Sequence, residues 1–383
     1  MVCASPPFNH AGTKWPTIRN VIFRPAAAPP GYRQMSHNQG QGEALKHMVS
    51  VWRPLNRPEF GVVDSISESV RKEERLDPHL LVSVSRGPTL AVVSDYAGDN
   101  STFGFHSYSF LLADLAFAWY WDEVRRALRR SVLKDGRRLS YKKLQSDENR
   151  ARCLVPFLRA ANSIPGLLIT LLVDKRVKSL FKPDLDLGFP EAVPRNRWRA
   201  AQFEKLMRIA HFSALLISGL VGDQQRVLWV SDQDEIVPNN DRHIDACKLF
   251  GHVLGHYLNC DVGRCQFATT RGDDGSLVLE DLATLPDLSA GALAELVSWM
   301  AKAGCLASTS VLAPMSQDIS MKARALVNWL ADGRFTLKKL AFVIEHGPGD
   351  AVVLKRLRLF PEELTPEYDF RSDLEHYVRT GRV

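Results

Sequence analysis

The chain has 383 residues, 45% of them hydrophobic and 24% charged, which supplies the core of one large or two ordinary domains and excludes a wholly disordered protein. Its 49 Lys and Arg exceed its 43 Asp and Glu to give a net charge of +6, a balance that suits a polyanionic partner without requiring one. Six scattered cysteines exclude a disulfide framework, and the opening MVCASPPFNH lacks the basic start and apolar core of a signal peptide, so the expected location is the cytoplasm with reduced thiols.

Residues 1–75 read as an N-terminal extension. Its first 45 or so residues, rich in Pro, Gly, Asn and Gln, have no pattern that could bury a face and are expected to be disordered. A domain over 76–310 follows. HLLVSVSRGPTLAVVSDY places two β-rich runs around an RGPT turn, as a hairpin does, and FHSYSFLLA reads as a further strand. LAFAWYWDEVRRALRRSVL has apolar residues at helical spacing, which predicts a helix over about 113–133. A polar basic stretch then leads into a second helix.

Beyond it the pattern alternates: strand 166–174, helix 198–220, strand 226–231, helix 241–259, strand 264–270 and helix 285–303. Such alternation implies parallel later strands, and the opening runs imply antiparallel ones, so the fold class is α/β with a mixed sheet flanked by helices. Residues 311–383 read as a C-terminal helical extension or cap. The longest apolar stretches are interrupted by Asp114 and by Arg208 with His211, which argues against a membrane span of about 20 residues.

Several aspartates stand at the ends of short apolar runs: Asp95 in LAVVSDYAGD, Asp174 in GLLITLLVDK, Asp232 and Asp234 in RVLWVSDQDE, and Asp287 in LATLPDLSAG. Open α/β sheets bind ligands beyond the carboxyl ends of their strands, and carboxylates gathered there hold a divalent cation, Mg²⁺ or Mn²⁺. Simpler accounts compete at each position. Asp95 lies among turn-forming residues, Asp174 adjoins Lys175 and Arg176 as in a surface ion pair, and Thr284 with Asp287 reads as a helix N-terminal box.

Between residues 125 and 152 basic side chains dominate, with Arg125, Arg129, Arg130, Arg137, Arg138, Lys142 and Lys143 as candidate contacts to a phosphate backbone and Tyr141 as a stacking group. A solvated helix face is the alternative. Cys247, His252, His256, Cys260 and Cys265 offer zinc-ligand types, but at non-standard intervals and without a paired C-x-x-C. Gly-rich phosphate loops, nucleophile elbows and zinc-protease motifs are absent from the sequence.

Three opening antiparallel strands, then alternating helices and parallel strands, with acids on the first strand, a middle strand and a late helix, resemble the order of ribonuclease H-like folds. From about residue 88 to 300 the chain is similar to the bacterial domain-of-unknown-function 3800 family, through Asp95 with Gly98, VLWVSDQDE and LPDLSAGALAE. Where that family has Asp-Glu-Ser-Gly, this chain has Asp95-Tyr96-Ala97-Gly98. The resemblance implies a ribonuclease H-like domain, and the strand-end acids supply the expected site: Asp95, Asp232 and Asp287 as metal ligands, Asp234 as a neighbouring candidate and Asp174 as a candidate fourth catalytic acid. The leading expectation is a Mg²⁺- or Mn²⁺-dependent, nuclease-like phosphodiesterase acting on DNA or RNA. The alternatives are a non-catalytic binding or regulatory protein of the same fold, with room for a homo-oligomer or a protein partner, and a zinc-stabilised interaction protein.

Overall fold

A computed structural model of the chain describes residues 50–81, 87–181, 193, 197–232, 239–307, 310–312 and 318–360. The segment expected to be disordered, residues 1 to about 45, lies outside them, as do Asp234 and most of the first run of the expected hairpin. Chain order is α1 (Val62–Leu76), β1 (Thr89–Ala97), β2 (Phe105–Ala113), α2 (Trp119–Ser131), α3 (Glu148–Ala161), β3 (Gly166–Asp174), α4 (Ala200–Leu220), β4 (Arg226–Ser231), α5 (Asn240–Tyr257), β5 (Cys265–Thr269), α6 (Val278–Lys302), β6 (Ser310–Leu312), α7 (Met321–Ala331), β7 (Leu337–His346) and β8 (Val352–Phe360).

Seven strands form one mixed sheet in the order β5-β4-β1-β2-β3-β7-β8, and the short β6 extends it beyond β8. β1, β2 and β3 are a consecutive antiparallel meander, whereas β4 runs parallel to β1 and β5 parallel to β4. The α/β class with antiparallel opening and parallel later strands is therefore present. The expected RGPT hairpin is not its opening: β1 is paired on one edge by β2 and on the other by β4, which leaves no edge for the run before it.

Continuous apolar runs make the strands. β3, GLLITLLVD, is buried along its whole length, as expected of a strand covered on both faces. On one face Val93, Leu111, Leu168 and Leu172 pack with α2, α3, α6 and α7, and on the other Val92, Phe110, Ile169 and Phe342 pack with α1, α4 and α5. The chain is thus a three-layer α/β/α structure.

Both extensions differ from the sequence reading. Trp52, Ile66 and Val70 are buried in the second of these cores, so residues 50–76 belong to the domain. After α7 the described residues of the C-terminal segment, up to Phe360, form strands where a helical extension was expected: β7 pairs parallel with β3, and β8 antiparallel with β7, continuing the same sheet. The helix expected from 113 begins later, because Ala113 closes β2 and Asp114 accepts a 3.1 Å hydrogen bond from the Ala116 amide to start a short 3₁₀ turn.

Helix α6 carries the most consequential shift. Its start is Val278, about two turns before the expected position, and Thr284 and Asp287 are interior residues. The N-cap residue, Leu277, has no capping side chain; Asp273 in the preceding loop takes that part, its carboxylate accepting from the Leu277 amide (2.7 Å) and the Leu279 amide (2.8 Å). Thr284 Oγ1 instead donates across to the Leu139 carbonyl at 3.1 Å.

Candidate acidic site

Parallel pairing aligns Ser94 of β1 with Ser231 of β4, so the next residues, Asp95 near the end of β1 and Asp232 just beyond β4, follow side by side. Asp95 is still within β1 and only 6% exposed, which sets aside its reading as a turn residue. The turn comes later, at Gly98. Its φ of +94° is one that side-chain-bearing residues rarely adopt, and an added Cβ would lie 2.1 Å from the Phe105 carbonyl oxygen. Asp287 reaches the same place from α6, which packs over β1 and β2.

Arg138 joins the acids. Its Nη2 lies 2.6 Å from Asp232 Oδ2 and 3.2 Å from Asp95 Oδ2, and its Nη1 lies 3.9 Å from Glu280 Oε2. Burial drives the Asp95 carboxyl well above the usual carboxylate range, and Asp287 and Asp232 push it the same way while Arg138 opposes them. Asp287 is also raised by burial, against the pull of Arg138. Burial disfavours the Arg138 charge, yet Asp95, Asp232 and Asp287 together hold that guanidinium firmly protonated. The site is a knot of mutually repelling carboxylates tied by one internal cation.

A short strap of chain places that cation. The Asp287 carboxylate accepts from the Tyr141 amide at 2.7 Å, and the Tyr141 hydroxyl donates to Glu295. Arg150 Nε donates to the Arg138 carbonyl at 3.0 Å, Arg129 Nη1 to the Arg137 carbonyl at 2.6 Å, and Lys322 Nζ to the Tyr141 carbonyl at 3.0 Å. Gly291 lets the Tyr141 ring lie directly on α6, because an added Cβ would fall 2.3 Å from Tyr141 Cγ. Residues 284, 287, 291 and 295 thus share one helix face against the strap, a physical reason for small and acidic residues in LPDLSAGALAE. Gly291→Ala should cost about 1–3 kcal/mol by forcing strap and helix apart. A urea titration that finds no loss would show that the strap yields freely.

The remaining sequence candidates separate. Asp174 ends β3, two strands from β1, and its carboxylate takes Arg176 Nε at 2.9 Å and Nη2 at 2.5 Å. This is the expected ion pair, and Arg176 holds Asp174 below the usual range although burial opposes it. Of the basic candidates, Arg125 and Arg129 are turned inward onto Asp281, and Arg138 belongs to the acids. Arg130, Arg137, Lys142 and Lys143 are exposed. Glu280, Thr270 and Tyr141 were not anticipated at the site. Thr270 Oγ1 stands 3.3 Å from Asp232 Oδ1, and Glu280 lies two helical turns before Asp287, a spacing that becomes visible once α6 begins at Val278.

At the cysteine and histidine cluster, His252 and His256 bring their Nε2 atoms to 3.3 Å, while burial pushes the Cys247 thiol up to about 12 and the Cys265 thiol to about 11, away from the thiolate form that zinc binds. Among the described residues no three His, Cys, Asp or Glu side chains stand in a metal-holding arrangement, and at the acidic site it is Arg138 that occupies the space between Asp95 and Asp232. The donor type there is nevertheless the one a hard cation takes, carboxyl oxygens, with those of Asp95 and Asp287 raised by burial and by neighbouring acids. No family model matches the chain, and no curated protein or solved structure matches it either.

Proposed function

We propose that the protein is a ribonuclease H-like phosphodiesterase that acts on nucleic acid with Mg²⁺ or Mn²⁺ held by Asp95, Asp232 and Asp287. The observation that carries this reading is the convergence of three acids from a strand, the end of its parallel neighbour and a late helix, on a sheet whose first five strands lie in the order β5-β4-β1-β2-β3. A divalent ion bound there would activate water and stabilise a leaving oxygen of a phosphodiester. Arg138 neutralises the acids in the cation-free state. Once its partners are otherwise neutralised, its guanidinium is available to a phosphate oxygen, a geometry for which arginine is suited. Lys142, close enough to lower the Asp287 carboxyl, and Lys143 beside it would hold the polyanion at the rim.

A second reading is favoured by one specific feature. Arg138 already supplies a cation between Asp95 and Asp232, which suits a binding or regulatory protein that keeps the fold and has replaced the metal. Incubation of labelled DNA and RNA with the full chain in Mn²⁺ or in chelator separates the two. Divalent-dependent cleavage supports the enzyme; binding without cleavage supports the regulatory protein. We propose a cytoplasmic location on the ground that the described cysteines Cys153, Cys247, Cys260, Cys265 and Cys305 are free thiols.

A further inference from the structure

The N-terminal end of α2 and the 3₁₀ turn before it expose three aromatic side chains within four residues: Phe117 at 56%, Trp119 at 47% and Tyr120 at 48%. Large aromatics are ordinarily the best buried material a domain has, so such a group at the surface marks a contact site. The Trp119 and Tyr120 rings meet edge to face at 6.0 Å, which leaves ring faces open to a planar partner. Along the same helix, Trp119, Glu123, Arg126 and Arg130 repeat at helical spacing and form one exposed stripe. Arg126 is tied to Asp122 yet stays 52% exposed, so only Glu123 is an uncompensated acid on the stripe.

The stripe leads to the acidic site. β2 is antiparallel to β1, so its end at Ala113, opposite Ala91, lies at the far end of the sheet from Asp95. The 13 residues of α2 then run back about 20 Å at the usual helical rise. At its last turn Arg129 is bonded to the Arg137 carbonyl, directly before Arg138, and exposed Arg137, Lys142 and Lys143 continue the positive charge.

We propose that the outer face of α2 is a track for single-stranded nucleic acid, with Trp119, Tyr120 and Phe117 stacking on unpaired bases and Arg126, Arg130 and Arg137 following the backbone towards Asp95, Asp232 and Asp287. This rests on the nucleic-acid reading given above and adds to it the strandedness of the substrate. Base stacking on aromatic rings combined with a basic path is the general chemistry of single-strand binding, and duplex bases, already stacked, cannot use it. A protein partner or a second copy of this chain would use the rings but leave the basic path without a role.

The test is fluorescence anisotropy of the full chain with labelled oligonucleotides of about 12 nucleotides, in chelator so that no cleavage is needed. Single-stranded DNA, single-stranded RNA and duplex DNA are compared. Wild type should prefer the single strands, and the RNA and DNA arms identify the sugar. Trp119→Ala with Tyr120→Ala should weaken single-strand binding at least about 10-fold without changing the melting transition, and Trp119→Phe should retain most of it. Unchanged affinity in the double alanine variant, equal affinity for duplex, or a changed oligomeric state of that variant by light scattering would each overturn the track. Single-strand binding lost in the variant with no cleavage by wild type would retain the track and remove the enzyme, whereas wild type that binds no nucleic acid removes both.

Discussion

Asp95→Asn is expected to abolish divalent-dependent cleavage, by at least about 10²-fold, while leaving the protein folded. The loss follows from removing one of three carboxylates that would hold the ion. The stability effect follows from electrostatics alone. Burial, with the repulsion of Asp287 and Asp232, raises the Asp95 carboxyl well above its ordinary value. A raised carboxyl makes its stabilising contribution at pH values below the unfolded value near 4, and that contribution is lost as pH rises through the folded value. Asparagine cannot ionise and escapes that loss. In chelator, wild type and variant should therefore melt together near pH 4, and the variant should melt higher at pH 8, by on the order of 1 kcal/mol or about 2 °C. Its Oδ1 can still accept from the Tyr96 amide, the 2.6 Å bond Asp95 makes, and Arg138 keeps Asp232. A variant that loses stability at pH 8 and a wild type without cleavage would together make Asp95 a structural residue.

Arg138→Gln should have the opposite effect on stability. It leaves Asp95, Asp232 and Asp287 together with no internal cation, and stripping one partner from a buried charge set costs on the order of 3–5 kcal/mol. The lower end, about 3 kcal/mol, is expected here because the Asp232 side chain reaches solvent. Without Arg138 the Asp95 and Asp287 carboxyls rise further, so the destabilisation should be greatest at pH 8 and shrink towards pH 5 as they take up protons. Millimolar Mn²⁺ should restore much of the lost stability by mass action on the folded state. Melting curves at pH 5 and pH 8, with and without Mn²⁺, measure both effects. A loss that depends on neither pH nor Mn²⁺ would mean that Arg138 acts through packing alone.

Much of this frame was legible because buried strands are short and almost wholly apolar. β3 and β4 have the expected bounds, and α4 begins within two residues of its expected start. β7 and β8 were not legible, since LKKLAFVIEH and VVLKRLRLF carry lysines and arginines at the rim of the sheet and resemble amphipathic helix. The start of α6 was misplaced for a specific reason: Pro286 and Thr284 imitate a first turn, while Asp273, whose carboxylate takes the part of the cap, sits in a loop of acids and glycine. That shift hid Glu280. Asp95, Asp232 and Asp287 could be singled out by their positions at strand ends and in one motif, whereas nothing in a run of basic residues distinguishes the arginine that folds into the site from those that remain at the surface. Arg138 is fixed by tertiary bonds to its backbone, from Arg150 and through the neighbouring Tyr141, and no local pattern encodes them.

If Asp95, Asp232 and Asp287 act as one cation site, as proposed, Arg138 and a divalent ion compete for it. Mn²⁺ titration of the full chain, followed by the electron paramagnetic resonance signal of the free ion, tests it most directly. Wild type should show a site that binds more tightly in Arg138→Gln and is lost in Asp95→Asn. Mn²⁺ binding that is absent from both wild type and Arg138→Gln, or that is unchanged in Asp95→Asn, would contradict it.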